Sequence, residues 1–304
     1  MQPARALLGD IPLGGWVDRW LPPAARPYAR LMRLDRPIGT WLLLFPCWWG
    51  IALAASGWPE PRLMALFALG AVVMRGAGCT YNDIVDRDID ARVARTKGRP
   101  IPSGQVTLRQ AAVFLAAQLV VGLAILLQLN GPAIVVGAAS LLLVFSYPFM
   151  KRFTFWPQAW LGLAFNWGAL FGWTAATGAL AWPAVILYLA GILWTLGYDT
   201  IYALQDKDDD AVIGVRSTAR LFGPSTPVWL WGFYGATVLL IGLAGAADRL
   251  AWPFYLLLAA PAAQAVWQVA TLKLDAPADC LAKFKSNRWF GWMVLVAIVT
   301  GKLA

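Results

Sequence analysis

Histidine is absent from this 304-residue chain, and charged residues make up only 13% of it. The lack of histidine excludes His-ligated haem, His-based catalytic dyads and histidine proton relays, so acid–base or metal chemistry must rest mainly on carboxylates. Only three cysteines occur. They lack metal-ligand spacing, and their odd number argues against a disulfide framework.

Apolar residues make up 60% of the chain. A soluble domain would carry roughly 25% charged residues, so the composition and the long uncharged runs indicate an all-α integral membrane protein. The net charge of +9 does not require nucleic acid, because cytoplasmic loops of membrane proteins are rich in lysine and arginine. We predict membrane lipid as a partner, with no nucleic acid and no protein partner.

Long apolar runs with at most one charged residue each predict nine membrane-spanning helices, since one span needs about 20 mostly apolar residues. Residues 110–150 are interrupted at Asn130-Gly131-Pro132, and residues 153–198 near Thr177-Gly178 and Trp182-Pro183, because glycine and proline punctuate helices. The predicted spans are 37–59, 63–82, two within 110–150, two within 153–198, 221–247, 250–272 and 289–304.

The distribution of positive charge predicts the orientation of this bundle. Of the 25 Lys and Arg residues, 21 lie in the N-terminal segment and in alternate loops. The positive-inside rule makes that side cytoplasmic, with the N-terminus inside and the C-terminus outside. Residues 1–27 are predicted to be a cytoplasmic lead-in without a signal peptide, and 28–304 one transmembrane domain. An interfacial helix is expected around residues 15–34.

The stretch YNDIVDRDID, residues 81–90, gathers four aspartates at the predicted cytoplasmic end of the second span. Asp83, Asp86 and Asp90 are spaced by three and four residues, which places them on one face of a helix over two turns. Asp88 falls on another face, and we predict that it is a bystander.

A second acidic cluster, GYDTIYALQDKDDD, lies at the cytoplasmic end of the sixth span. Asp199, Asp206 and Asp210 are spaced by seven and four residues, again on one helical face. Both clusters precede basic, turn-rich loops, RTKGRPIPSG and GVRSTARLFG. We interpret the clusters as two parts of one site, and as a sign of two related halves divided near residues 150–180.

Carboxylates grouped at the edge of lipid repel one another, and a charge at the bilayer centre costs about 2.5–3.5 kcal/mol by insertion scales. A bound cation relieves both effects. Carboxylates with a neighbouring amide suit Mg²⁺, which binds through one or two carboxylates together with substrate phosphates. With lysine and arginine nearby for the remaining oxygens, these residues predict a diphosphate–metal site.

Three other interpretations compete with this one. A charge run beside a membrane helix is usually a solvated loop, but two clusters with helical spacing on one side argue against that. Cation- or proton-coupled transporters tend to place acids near the midplane, whereas these acids lie at the cytoplasmic ends. CDP-alcohol phosphotransferases place Gly and Ala-Arg between their aspartates, and NDIVDRDIDAR does not.

The same stretches resemble the intramembrane aromatic prenyltransferases. NDIVDRDID is similar to their NDxxDxxxD motif, and DKDDD, residues 206–210, to their DxxxD motif. Four longer stretches resemble the 4-hydroxybenzoate polyprenyltransferase branch: RLDRPIGTWLLLFPCWWG, RTKGRPIPSG, YPFMKRFTFWPQ and YDTIYALQDKDDD. The resemblance extends from residue 28 onward and implies a nine-helix bundle.

The resemblance implies Mg²⁺-dependent transfer of a polyprenyl group from polyprenyl diphosphate to the ring carbon ortho to the hydroxyl of 4-hydroxybenzoate, in ubiquinone synthesis. A dry, aromatic-lined pocket would protect the allylic cation from water. The implied location is a bacterial inner membrane, with the site facing the cytoplasm. Menaquinone, haem O and chlorophyll synthases resemble this branch but differ in their acceptors.

With the resemblance, individual residues receive predicted roles. The metal ligands are predicted to be Asn82, Asp83, Asp86, Asp90, Asp206 and Asp210, and the aspartates among them form the catalytic set with Asp199. The diphosphate contacts are predicted to be Arg95, Lys97, Arg99, Lys151 and Arg152. The aromatic-substrate contacts are predicted to be Arg36, Tyr147 and Asn166.

Three of these roles have structural alternatives. Arg36 could clamp the benzoate carboxylate, or it could anchor the first span at the cytoplasmic surface. Asp199 could orient or deprotonate the phenol, or it could belong to the metal site. Asn166 lies in the middle of the fifth span, where a helix–helix hydrogen bond is a commoner use than a substrate contact.

Overall fold

The structure is a computed structural model that describes residues 7–8, 11–12, 14–93, 96–207, 211–212 and 214–304. These residues form helices and loops, apart from one antiparallel pair of two-residue strands, β1 (Leu7–Leu8) and β2 (Ile11–Pro12). The helices are α1 (Trp16–Trp20), α2 (Arg26–Leu31), α3 (Ile38–Ala54), α4 (Pro61–Val85), α5 (Arg87–Asp90), α6 (Leu108–Leu126), α7 (Gly131–Phe153), α8 (Pro157–Thr177), α9 (Trp182–Ala203), α10 (Thr218–Phe222), α11 (Thr226–Ala247), α12 (Trp252–Leu257), α13 (Ala259–Ala270) and α14 (Pro277–Leu303).

Each predicted span coincides with helix in the described part of the chain. Five helical stretches are long and apolar enough to cross a membrane, and the chain is a helical membrane protein. These stretches are Pro61–Val85, Leu108–Leu126, Gly131–Phe153, Trp182–Asp206 and Thr218–Ala247. The count of nine spans and the orientation of the two termini remain predictions.

The predicted breaks inside the two longest runs are confirmed. Asn130 caps α7, because its side-chain oxygen accepts a hydrogen bond from the Ala133 amide at 2.9 Å. Pro132 follows in the first turn of α7, where a backbone N–H has no partner within the helix, so proline costs no hydrogen bond there. Helix α8 stops at Gly178, whose φ of 78° is a left-handed conformation that glycine adopts without strain.

The single interfacial helix expected around residues 15–34 is replaced by two short helices, α1 and α2. Pro22 and Pro23 lie between them, and proline cannot donate the backbone hydrogen bond that a continuous helix needs. The side chains of Asp18 and Arg30 tie the two helices together through an ion pair of 2.6 Å.

The described residues pack as two compact units. The first unit, Met1–Thr40 with Leu69–Gln128, contains α1, α2, α5, α6 and most of α4. Its buried cluster of Leu31, Val106 and Ala111 is covered by partly buried side chains that include Tyr28 and Phe114. The rings of Tyr28 and Phe114 meet edge to face, with centroids 5.0 Å apart.

The second unit, Trp41–Ala68 with Leu129–Ala304, contains most of α3 and helices α7 to α14. Helix α9 packs against both α8 and α11. Its fully buried Trp194 stacks on Phe290 of α14 at 5.2 Å between ring centroids and lies 5.0 Å from Trp49 of α3. The predicted division into related halves near residues 150–180 remains a prediction, because packing units report contact and not ancestry.

The backbones of α3 and α8 touch at glycines. A Cβ atom on Gly50 would lie 2.3 Å from the Ala169 carbonyl oxygen, and one on Gly172 would lie 2.3 Å from that of Cys47. Gly168 and Gly172 form a GxxxG pattern. Such small residues let helices approach closely in lipid, where the hydrophobic effect provides little drive for association.

Gly172→Val should lower the thermal unfolding midpoint in detergent strongly. Overpacking of a core commonly costs about 1–3 kcal/mol, and here the new side chain would meet a backbone carbonyl that cannot rotate away. Gly235→Val is the matched control, since Gly235 is exposed on α11 and its Cβ would meet nothing within 4 Å. Equal midpoints for the two variants would contradict the close α3–α8 contact.

Candidate active site

The junction between α4 and α5 carries the first acidic cluster. Asp83 lies in the last turn of α4, Asp86 at the junction, and Asp90 at the end of α5. The helical hydrogen bonds continue through the junction: the Asp86 amide donates to the Asn82 carbonyl and the Asp90 amide to the Asp86 carbonyl, both at 2.8 Å. The predicted helical spacing of these aspartates is therefore retained.

Burial separates the three aspartates from their neighbour. Asp83, Asp86 and Asp90 are 0%, 1% and 6% exposed, whereas the Asp88 side chain is 74% exposed and lies 3.5 Å from Arg87. The Asp88 side chain is thus exposed, as expected of an aspartate that lies outside the predicted site.

Two arginines form ion pairs with Asp83 and Asp90, two of the three buried aspartates. Arg33 Nη2 lies 2.6 Å from Asp83 Oδ1, and Arg99 Nη1 lies 2.8 Å from Asp90 Oδ2 and 3.4 Å from Asp83 Oδ1. Both arginine side chains are only 12% exposed. Buried carboxylates are tolerated when they are paired and hydrogen-bonded, so these contacts make the burial of the cluster possible.

Arg33 reaches Asp83 from an unusual backbone conformation. Its φ is 58°, in the left-handed region, which costs about 1–2 kcal/mol for a residue other than glycine. Its Nη1 also donates to the Arg30 carbonyl at 2.9 Å, which holds the guanidinium in place. Backbone strain of this kind concentrates at functional sites.

The electrostatics of Asp90 reflect both burial and crowding. Burial raises the pKa of Asp90, the Arg99 guanidinium acts in the opposite direction, and the negative charges of Asp83 and Asp86 raise it again. A further cation beside these carboxylates would therefore favour their ionised forms.

The donor set fits Mg²⁺ that is bound together with phosphate. Asp83 Oδ2 is buried and has no hydrogen-bond partner among the described residues, which leaves an oxygen for a cation. Within the described ranges, no group of three acids is arranged to hold an ion by itself. Mg²⁺ commonly takes one or two carboxylates and completes its shell with substrate phosphates and water.

The other predicted site residues of the first unit differ in burial. Asn82 is half-buried in the last turn of α4, and Lys97 is exposed. Arg36 is half-buried, with its guanidinium 3.6 Å from the Asp35 carboxylate. Arg95 lies outside the described residues.

The second acidic cluster begins on α9. Asp199 is half-buried in the last turns of that helix, and Asp206 ends a 3₁₀ turn, Leu204–Asp206, that follows it. A 3₁₀ turn has three residues and not 3.6, so Asp206 is rotated relative to its place in an ideal α-helix, and the face that it shares with Asp199 remains a prediction. Asp210 lies outside the described residues.

Predicted contacts of both substrates lie on α7. Lys151 and Arg152 occupy its last turn, where Lys151 is half-buried and Arg152 is exposed with its guanidinium 5.6 Å from the Phe149 ring centroid. Tyr147 is half-buried one turn earlier.

Asn166 makes the helix–helix hydrogen bond that its position in the fifth span favours. Its amide donates to the Thr195 hydroxyl on α9 at 2.7 Å and to the Gly162 carbonyl on its own helix at 2.9 Å. Gly191 makes room for it, since a Cβ there would lie 2.2 Å from Asn166 Oδ1.

Comparison with protein families matches most of the chain. The model of the UbiA prenyltransferase family matches residues 43–295. The chain belongs to the UbiA prenyltransferase family.

Relatives in this family match nearly the whole chain. The chain is 55% identical over 291 residues to "4-hydroxybenzoate polyprenyltransferase, mitochondrial" of Arabidopsis thaliana, an alignment that covers 94% of this chain and 71% of the relative. It is 52% identical over 286 residues to the protein of the same name from Rattus norvegicus, with 93% and 76% covered.

Solved structures of UbiA homologues share the fold. An apo UbiA homologue from Aeropyrum pernix K1 aligns with a TM-score of 0.69 and 27% identity, covering 86% of this chain and 96% of that one. A UbiA homologue from Archaeoglobus fulgidus, bound to GPP and Mg²⁺, aligns with a TM-score of 0.64 and 18% identity, covering 90% and 99%. At that identity the second likeness concerns the fold alone.

Sequence reasoning missed two features of this UbiA-family chain. Arg33 received no role, although its position in RLDRP beside Arg36 was a signal. A buried polar network was also missed: Trp194 Nε1 donates to Asn287 Oδ1 at 2.9 Å, and Asn287 Nδ2 donates to Gln268 Oε1 at 3.0 Å. Polar residues inside apolar runs, such as Gln268, could have predicted this network.

Arg33→Ala should destabilise the protein by about 3–5 kcal/mol, because it leaves Asp83 buried without its shortest ion pair. Arg87→Ala is the matched control, and the loss of its exposed contact with Asp88 should cost about 1 kcal/mol or less. Unfolding in detergent at neutral pH measures both. Similar losses from the two variants would mean that pairing of Asp83 does not carry the stability of this junction.

Proposed function

We propose that this protein transfers a polyprenyl group from polyprenyl diphosphate to the carbon ortho to the hydroxyl of 4-hydroxybenzoate, in ubiquinone synthesis. The observation that carries the proposal is the 55% identity, over 94% of the chain, to a relative named for this activity. The buried, arginine-paired carboxylates at the α4–α5 junction supply the chemistry that such a transfer needs.

The first step of the proposed reaction is departure of the diphosphate. Mg²⁺ bound at the aspartates would neutralise the negative charge of the diphosphate and make it a better leaving group. Asp83 Oδ2 is buried and has no hydrogen-bond partner among the described residues, which supports the role of Asp83 as a metal ligand. The proposed ligands are Asn82, Asp83, Asp86, Asp90, Asp206 and Asp210.

Ionised donors would bind the remaining diphosphate oxygens. Arg99 is well suited to this, because its guanidinium already lies within 3.4 Å of both Asp83 and Asp90 and stays charged at all working pH values. Charge-assisted hydrogen bonds are about twice as strong as neutral ones, so several such donors would stabilise the departing group. The proposed donors are Arg95, Lys97, Arg99, Lys151 and Arg152.

The second step forms a carbon–carbon bond. After the allylic C–O bond has broken and the electron pair has left with the diphosphate, the ring carbon of the acceptor attacks the allylic cation, and the ring then loses a proton. Apolar helices would keep water from capturing the cation. We propose that Asp199 accepts a hydrogen bond or a proton from the phenol and that Arg36, Tyr147 and Asn166 contact the acceptor, with Arg36 at the carboxylate.

The names of the relatives also bear on location. They are mitochondrial, which favours a mitochondrial inner membrane over the bacterial inner membrane predicted from the sequence. In either membrane, the site would face the side that holds the basic loops. Fractionation of the native cells distinguishes the two locations.

Purified protein with geranyl diphosphate, Mg²⁺ and 4-hydroxybenzoate should form prenylated acid, and chelation of Mg²⁺ should abolish it. Asp83→Asn should reduce the rate at least about a hundredfold, since it removes a charged ligand at the developing negative charge. Asp88→Asn is the matched control and should leave the rate unchanged. Product with another aromatic acceptor, but none with 4-hydroxybenzoate, would move the assignment to a sister enzyme.

Asp199→Asn should lower kcat roughly 10²–10⁴-fold while the KM for the prenyl diphosphate and the Mg²⁺ dependence stay near wild type, because a general base acts only on the acceptor. Steady-state rates at varied diphosphate and Mg²⁺ concentrations measure this. A raised Mg²⁺ requirement would instead make Asp199 a member of the metal site.

A further inference from the structure

The segment that follows the second aspartate run, residues 214–218, has the sequence Gly-Val-Arg-Ser-Thr and ends in the first residue of α10. Ser217 caps α10, since its hydroxyl accepts a hydrogen bond from the Arg220 amide at 3.4 Å. The proposed function gives this segment no role. Its contacts nevertheless tie it to two elements that carry proposed site residues.

The first contact is with the C-terminal end of α7. The Arg216 amide donates to the Lys151 carbonyl at 3.2 Å, and Arg216 Nη1 donates to the Phe153 carbonyl at 2.7 Å. The last four carbonyls of a helix have no partner within it, and a positive charge is favourable at that end. One arginine thus occupies two of these four carbonyls.

The guanidinium is held by an aromatic ring as well. It lies 5.4 Å from the ring centroid of Phe155, immediately after α7. Cation–π contacts at exposed sites contribute modestly, so this contact adds to the hydrogen bond with the Phe153 carbonyl. With both a carbonyl and a ring engaged, the Arg216 guanidinium is directed at the end of α7.

The second contact is buried. The Thr218 amide donates to Gln158 Oε1 at 3.1 Å, and the hydroxyls of Thr218 and Thr200 are 2.6 Å apart. All three residues are 4% exposed or less. Thr200 directly follows Asp199 on α9, so the segment is also fastened beside the second acidic cluster.

We infer that Arg216 is a positioning residue: it caps the last turn of α7 and thereby orients Lys151 and Arg152 toward the diphosphate. This inference rests on the proposed function of those two side chains. Without the Arg216 side chain the Phe153 carbonyl loses its partner, while the Lys151 carbonyl keeps the backbone amide of residue 216. The end of α7 then frays, and the two basic side chains no longer point in a fixed direction. Arg216 itself is assigned no contact with the diphosphate.

A double-mutant cycle separates positioning from direct contact. The variants are Arg216→Ala, the pair Lys151→Ala with Arg152→Ala, and all three changes together. Binding of the unreactive analogue geranyl S-thiolodiphosphate with Mg²⁺, measured by calorimetry, is the readout. The alanine changes at 151 and 152 keep the backbone carbonyls, so Arg216 can still cap the helix but has no side chains to orient.

Positioning predicts that Arg216→Ala weakens analogue binding about tenfold in the wild-type background, as expected when charge-assisted hydrogen bonds lose their alignment. In the background without both basic side chains it should change binding by no more than about twofold. An additive effect in the two backgrounds would overturn the inference and indicate that Arg216 binds the diphosphate directly.

Arg216→Gln provides an independent test. Glutamine can donate to a carbonyl but carries no charge, so it should restore more than half of the binding free energy that alanine loses. Binding as weak as in Arg216→Ala would contradict the capping role. Arg288→Ala is the matched control for loss of one exposed positive charge, and it should leave analogue binding unchanged.

The analogue experiment contains no aromatic acceptor. Failure of wild-type protein to prenylate 4-hydroxybenzoate would therefore count against the proposed function alone. An additive cycle in a protein that binds the analogue would count against the positioning role alone. If Arg216→Ala does not fold, Arg216→Gln takes its place in the double-mutant cycle. Its smaller effect on analogue binding should then disappear in the background that lacks both basic side chains, and an equal effect in the two backgrounds would overturn the inference.

Discussion

The structure depends on the neutralisation of carboxylates that are withdrawn from water. Asp83 is fully buried, and its charge is tolerable only because Arg33 and Arg99 approach it from separate parts of the chain. The same ion pairs fix the junction between α4 and α5, where all three buried aspartates lie. Apart from Arg33, the groups in these ion pairs are also ones that we propose meet the metal or the diphosphate, so stability and function share several contacts.

The helices that support this chemistry associate with little help from the hydrophobic effect, because lipid is as apolar as their side chains. They rely instead on close approach at glycines, as where α3 meets α8, and on buried hydrogen bonds such as that between Asn166 and Thr195. The hydrogen bond between Asn166 and Thr195 joins α8 to α9, and its geometry helps to specify how these two helices pack. Such a scaffold can hold charged side chains in fixed directions, as a site that must exclude water requires.

Much of this arrangement could be predicted from the sequence. The breaks near Asn130 and Gly178 are predictable because glycine and proline punctuate helices. The structure adds the physical detail, an Asn130 side-chain cap and a left-handed Gly178. The retained spacing of Asp83, Asp86 and Asp90 follows from helix geometry alone. Arg33 escaped prediction, because it pairs with a residue 50 positions away and no local pattern encodes that distance. The 3₁₀ turn before Asp206 escaped it too, since the choice between helix types depends on packing.

By itself, the sequence determined that the chain is a helical membrane protein and where its acidic clusters lie. Lipid imposes length, apolarity and hydrogen-bonding rules that are written in consecutive residues. Only the tertiary structure decided which charges meet: that Arg33 and Arg99 pair with aspartates of the first cluster, and that Arg216 caps the helix carrying Lys151 and Arg152. Ion pairs and caps between distant segments depend on distances of a few ångströms, and those distances exist only after the chain has folded.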